Sequence, residues 1–246
     1  MALALTGGTV VATGVAAEEP PPPLVMADAG LDLRGTGDAS AVVPVRGFVG
    51  AEAVVPAVTA LVAPEEGAEA VATLQNPTWE GFPLTFVVLE QQGEWSHVRL
   101  LMRPNNSTGW VRTAELRTYE VANRVVIERA ARRLTVYRGD SDEVLFATDA
   151  GVGAGRTPTP LGEFWIDIVN PLDGTGVYGW GQLSVSGFSE VLMTFGGGIG
   201  QIAIHGTNNP SSVGDDVSNG CIRLRNDDIA RVATLVGVGT PVSVVA

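Results

Sequence analysis

The sequence predicts a mainly β protein in two units, with a single helix near the C-terminus, and three observations carry that reading. Short runs rich in β-branched and aromatic residues recur through both halves between Gly, Pro, Asp and Asn turns. Trp79, Trp95 and Trp110 fall 16 and 15 residues apart, near the spacing of successive strand pairs in a small barrel. One helix is well specified, with Ile229, Val232, Ala233 and Val236 forming its apolar stripe.

In chain order, residues 1–17 are apolar, small and uncharged, and Val15-Ala16-Ala17 before Glu18 resembles a signal-peptidase site of the A-x-A type. The segment reads either as the remnant of an export signal or as a flexible tail, and the remnant is the expectation adopted. It is too short and glycine-broken for a membrane span, so membrane contact is expected at most through that signal. Residues 18–56 are rich in Pro, Gly, Ala and Asp, and Pro20 to Pro23 favour extended polyproline II, so this stretch is expected to be a semi-rigid linker.

Residues 57–118 are expected to form the first β unit, with strands at 58–62, 84–90, 95–101 and 109–111. Its tryptophans are read as core and barrel-mouth packing ahead of ligand stacking. His97 alternates with Trp95 and Arg99 on one strand face and is read as a partly exposed structural histidine. Residues 123–246 form the second unit, with strands expected at 125–128, 134–138, 144–148, 163–168, 191–194, 201–205 and 242–245. Asn226 is the expected N-cap of the helix, Asp227 and Asp228 suit its positive first turn, and Gly237 ends it.

Composition narrows the function classes. A net charge of -12 without clustered Lys and Arg argues against nucleic acid as a partner. One cysteine excludes an internal disulfide and any zinc site needing two thiolates, and with two histidines in separate segments no metal or cofactor is expected.

Cys221 carries the chemistry. A thiol with a pKa of about 8.5 is mostly protonated near neutrality, and the thiolate is the nucleophile, so it needs a base. His205, 16 residues earlier, is the sole histidine of this half, and an imidazole can take the thiol proton and return it to a leaving amine. A lone cysteine is more often inert core. Its setting shifts that reading: Gly220 lets backbone amides approach a ligand, and an extended run from Cys221 to Leu224 places Cys221 and Arg223 on one face with Ile222 and Leu224 on the other.

His205-Gly206-Thr207 followed by Ser218-Asn219-Gly220-Cys221-Ile222-Arg223-Leu224 closely resembles the signature of L,D-transpeptidases of the YkuD type. The resemblance takes in Thr157-Pro158-Thr159-Pro160-Leu161-Gly162-Glu163-Phe164, similar to that family's TPTP-x-G-x-F turn, and spans roughly residues 123–246. It implies a β-sandwich or barrel with one helix packed on it, and an exported enzyme of the bacterial cell envelope. That enzyme would form a thioester with a peptidoglycan stem peptide and pass the acyl group to an amine, cross-linking or remodelling the wall. It further implies thioester formation with carbapenems, and a Gly206 carbonyl that orients His205.

On the same resemblance, the backbone amides of Cys221 and Gly220, with Asn219, would hold the oxyanion, each donor contributing on the order of 3 kcal/mol. Ser218 is placed with them at the site. The family most often carries histidine where this chain has Asn219, which bears on substrate preference more than on reaction type. Arg223 is read either as a structural ion pair or as a contact for substrate carboxylates. Tyr178 and Trp180 read either as a lid over the donor peptide or as a hairpin tip. Upstream, Gly93-Glu94-Trp95-Ser96-His97-Val98-Arg99 and the run from Arg103 to Val111 resemble bacterial SH3-like domains.

Other features are read as structural. Gly196-Gly197-Gly198 lacks the Gly-Lys-Ser/Thr ending of a phosphate loop and is taken as a turn, and Asp215 and Asp216 are taken as solvated. Two rival functions are weighed. Papain-like peptidases place cysteine before histidine, the reverse of this order, and sortases separate cysteine and arginine by more than the two residues found here. A wall-binding protein with an inactive second unit is disfavoured by retention of thiol, base and glycine.

Overall fold

The computed structural model describes residues 43–246, with side chains from Gly47 onward. The expected export remnant and most of the expected linker lie outside the described residues. The first unit holds β1 (Val43–Ala53), β2 (Ala57–Leu61), β3 (Ala70–Gln75), β4 (Thr85–Gln92), β5 (Trp95–Arg99), β6 (Thr108–Arg112) and β7 (Leu116–Val121). They form one sheet in the order β3-β2-β6-β5-β4-β1-β7, antiparallel throughout. Val49, Ala51, Leu84, Phe86, Val88, Val98 and Val111 close over its inner face as a separate core.

The linker expectation fails at its C-terminal end. Residues 43–53 form β1, whose Phe48–Ala53 stretch pairs with β7 and whose Val49–Glu52 stretch pairs with β4. Small residues such as Ala51 and Ala53 made this stretch look unstructured, yet both are buried between neighbouring strands. Composition reads such a strand as a linker because its pairing partners lie far along the chain.

The second unit contains β8 (Asn123–Glu128), β9 (Arg133–Arg138), β10 (Val144–Asp149), β11 (Val152–Gly153), β12 (Gly162–Pro171), β13 (Gly181–Phe188), β14 (Gln201–His205), β15 (Asp216–Ser218), β16 (Ile222–Arg223), α1 (Asn226–Ala233) and β17 (Pro241–Val245). Eight strands make one sheet in the order β10-β9-β8-β17-β12-β13-β14-β16, while β11 and β15 pair separately. Ile229 and Val232 of α1 join Ile204, Ile222, Leu224 and Val242 in the core.

Two further expectations change. Residues 191–194 are no strand: Val191 and Met193 are exposed, in a loop that a Phe195–Gly198 bridge closes. The N-cap of α1 is Arg225, and Asn226 is the first helical residue with its side chain used elsewhere. No helix among the described residues is long and apolar enough to cross a membrane.

Side chains of the first unit reach backbone atoms of the second. Asn105 donates through Nδ2 to the Phe188 carbonyl at 2.8 Å and accepts the Phe188 N–H at 2.9 Å. Asn106 Oδ1 accepts the Glu163 N–H at 2.8 Å. The Arg103 guanidinium donates to the carbonyls of Ile199 and Ser189 and lies 4.6 Å from the Phe188 ring centroid. Buried Trp165 donates through Nε1 to Thr85 Oγ1 at 3.1 Å.

Asn105→Ala is expected to lower the unfolding free energy by about 1–3 kcal/mol, because it leaves the N–H and carbonyl of buried Phe188 without partners. Urea unfolding of wild type and variant measures it. A midpoint that does not move would mean that water replaces the amide.

Candidate active site

His205 ends β14, and parallel pairing sets it beside Arg223 of β16, with Ile204 beside Ile222. Side chains alternate along a strand, so His205 and Arg223 share one face, and Cys221, two residues before Arg223, shares it too. Ile204, Ile222 and Leu224 point the other way and are fully buried. That apolar anchoring fixes the register, and a one-residue slip would drive the arginine into the core. The expected alternation around Cys221 is therefore what the structure shows.

The imidazole is closely held. Its Nδ1 lies 2.5 Å from the Gly206 carbonyl, an acceptor only, so Nδ1 carries the proton and Nε2 is left bare. Tyr178 meets the ring edge-on, with centroids 4.7 Å apart at an angle of 80°. Burial pushes the His205 pKa down to about 4; the Gly206 hydrogen bond raises it, and the Arg223 charge lowers it further. Burial also pushes the Cys221 thiol up, with the Ala203 amide and Arg223 pulling the other way. The resting pair at neutral pH is thus a neutral thiol and a neutral imidazole.

This ground state has a consequence for alkylation. The rate at which iodoacetamide modifies Cys221, the chain's sole cysteine, is expected to climb continuously from pH 5 to pH 9. A raised thiol pKa keeps the thiolate scarce throughout that range, with a tenfold gain for about each pH unit. Intact mass against time gives the rate. A plateau beginning below pH 6 would mean a thiolate–imidazolium pair and contradict the neutral site.

The turn before the thiol differs from expectation. Gly220 has φ +116, a conformation that side-chain-bearing residues rarely adopt. Its N–H donates to Ser218 Oγ at 3.1 Å, and the Ser218 hydroxyl donates to the Cys221 carbonyl at 2.6 Å. The Gly220 amide is therefore engaged within the turn, and buried Ser218 clamps the thiol's backbone. Asn219, at the tip, is exposed. For Arg223, no acidic partner lies within ion-pair distance among the described residues, and its charge acts on Tyr178, His205 and Cys221.

Asn226 is the positioning residue that the sequence concealed. Its Oδ1 accepts the N–H of Trp180 and of Thr207, each at 3.1 Å. One carbonyl thus ties the Tyr178–Trp180 loop to the loop leaving His205. An asparagine preceding two aspartates reads as an N-cap, which hid the longer-range role. Asn226→Ala is expected to lower kcat/KM about tenfold, since two part-buried amides lose a shared acceptor and both loops loosen. Steady-state kinetics test this, and an unchanged kcat/KM would assign the residue to α1 alone.

Cys221 lines a cleft of about 230 Å³ with Tyr178, Gln182, Ser184, Gln201, Ala203 and the turn at Phe195–Gly200. Trp79 and Glu80 of the first unit complete its wall. The glycine run at 196–198 is a turn, as expected, though it sits at the cleft rim. His97 stacks on Trp110 at 4.7 Å, bonds to Glu90 and lies outside the cleft. Asp216 pairs with Arg132 at the surface. No three His, Cys, Asp or Glu side chains among the described residues group as a metal site.

The family profile of the YkuD L,D-transpeptidase catalytic domain matches residues 122–244, half of the chain. The chain belongs to that family. A Bacillus subtilis relative named as the L,D-transpeptidase YkuD is 34% identical over 128 residues, covering 51% of this chain and 68% of that one. The Bacillus licheniformis protein of the same name is 38% identical over 121 residues, 49% of this chain; the match spans 64% of that relative's length. Among solved structures, an L,D-transpeptidase from Mycobacterium smegmatis is 20% identical, with a TM-score of 0.41 over 62% of this chain and 78% of that one. L,D-transpeptidase 3 from Mycobacterium tuberculosis, solved with a faropenem-derived adduct, is 17% identical, with a TM-score of 0.39 over 59% of this chain and 76% of that one.

Proposed function

We propose that this protein is a cysteine-dependent L,D-transpeptidase of the bacterial cell envelope, exported, and acting on peptidoglycan stem peptides as donor and acceptor. The observation that carries the reading is the shared strand face of His205, Arg223 and Cys221, with Cys221 lining a cleft and Nδ1 of His205 bound to a backbone carbonyl. Membership of the family supports it.

The chemistry follows from the neutral pair. Nε2 of His205 takes the thiol proton as Sγ attacks the donor carbonyl, and the Cys221 amide stabilises the oxyanion. The carbon–nitrogen bond breaks, and His205 returns the proton to the leaving amine. A thioester remains. An acceptor amine then attacks the same carbonyl, His205 takes its proton, the carbon–sulfur bond breaks, and the sulfur is reprotonated. Arg223 supplies a fixed positive charge for a substrate carboxylate. The first unit is proposed to be an SH3-like domain that binds the wall, and the residues upstream of β1 a tether.

Purified protein incubated with tetrapeptide muropeptides tests this reading. Release of the terminal D-alanine together with a cross-linked dimer is the expected result by mass spectrometry. Release of D-alanine without dimer would sink the cross-linking assignment.

A further inference from the structure

The wall that the first unit adds to the cleft is built, not incidental. Asn76 donates to the carbonyls of Ala53 and Val55 and accepts the Leu84 N–H, so both ends of the segment between β3 and β4 are pinned. Within it, the Thr78 N–H bonds to the Phe82 carbonyl and the Gly81 N–H to the Thr78 carbonyl. The turn between them carries Trp79 and Glu80. The Trp79 ring abuts Gly198, where an added methyl would meet it at 2.8 Å.

The groups gathered there suit one ligand chemistry. Glu80 is half-buried, and among the described residues it has no ion-pair partner. Gln201, opposite on β14, gives its Nε2 to Asp167 Oδ2 at 2.7 Å and to the Val185 carbonyl at 3.1 Å. Those two acceptors fix the amide orientation, and the buried Oε1 is left as an acceptor without a partner among the described residues. A carboxylate, an aromatic face and an unpaired amide oxygen together favour a cationic amine over an anion or a neutral group. The net charge of -12 adds attraction at longer range. Of the nearby cations, Arg103 is occupied by backbone carbonyls, and Arg223 acts on the thiol and imidazole.

We propose that the upstream unit supplies a specificity subsite in which Glu80, beside Trp79 and Gln201, receives an ammonium group carried by the peptide substrate. The proposal rests on the reading of Cys221 as the acyl-forming thiol. The same ammonium can arrive on the donor or on the acceptor, and the experiment separates them.

Two donor tetrapeptides are compared, identical except that a side-chain amine is free or N-acetylated. In a second arm, the thioester is partitioned between an added diamine and water. Wild type is expected to favour the free-amine donor, the diamine over water, or both, by about five- to tenfold. In Glu80→Gln the affected ratio falls toward one, and in Trp79→Ala it falls part of the way. A drop confined to the donor ratio places the ammonium on the donor, and a drop confined to the partition places it on the acceptor. Both ratios unchanged in Glu80→Gln, with the thioester still formed, overturn the subsite and leave the thiol reading standing. Absence of any faropenem or peptide adduct on wild-type Cys221 overturns the thiol reading and the subsite with it.

Discussion

Cys221→Ala is expected to abolish the covalent adduct that a carbapenem is expected to leave on the wild-type chain, and to lower stem-peptide turnover by about a thousandfold or more. The size of the effect follows from the absence of a substitute: the chain has no second cysteine, and the turn built by Ser218 and Gly220 presents one side chain to the cleft. Alanine fits the same extended backbone, so the fold is retained and the loss is chemical. Intact mass after carbapenem exposure reads it directly. An adduct that persists in the variant would refute the nucleophile assignment, because the label would then sit on another group.

His205→Ala is expected to lower acylation about 10²- to 10⁴-fold while leaving Cys221 in place. The accompanying pH profile is more diagnostic than the loss itself. General-base catalysis needs the neutral imidazole, and protonation removes it. Because burial holds the His205 pKa at about 4, wild-type kcat/KM should stay level on the acid side as pH falls from 7 to 5 and decline only through about 4. An imidazole in water would lose activity from about pH 6.5. A wild-type acid limb centred near 6.5 would show that the histidine is not buried as described, or that another group is the base.

The strand pattern around Cys221 was legible in the sequence because its signal is local. The alternation from Cys221 to Leu224 needs only four consecutive residues, and burial of Ile222 and Leu224 shows that the pattern was read in the right register. Residues whose roles depend on distant partners were not legible. Asn226 carries an N-cap signature, yet its carbonyl is held by amides 46 and 19 residues away. Glu80 belongs to the cleft only because two separately folded cores meet beside it. β1 was hidden for a related reason: its alanines have weak strand preference, and pairing with β4 and β7 overrides that preference. Residues 191–194 erred the other way, since an apolar run reads as a strand wherever it falls, while here Val191 and Met193 remain exposed beside the cleft.

The seam between the two units has an asymmetry that bears on how each can change. On one side stand side chains, Arg103, Asn105 and Asn106; on the other stand peptide groups, the N–H of Glu163, both polar atoms of Phe188 and the carbonyls of Ser189 and Ile199. Every residue but proline presents the same peptide N–H and carbonyl. Apart from Trp165, which bonds to Thr85 Oγ1, and Phe188, whose ring lies against Arg103, the second unit can therefore vary its side chains along this border without losing these bonds, whereas the first unit cannot. Chimaeras that exchange the second unit between relatives should keep the joint as long as Trp165, Phe188 and the paths of β12, β13 and β14 are preserved, while an exchange of the first unit must carry that Arg, those two Asn residues and Thr85 with it.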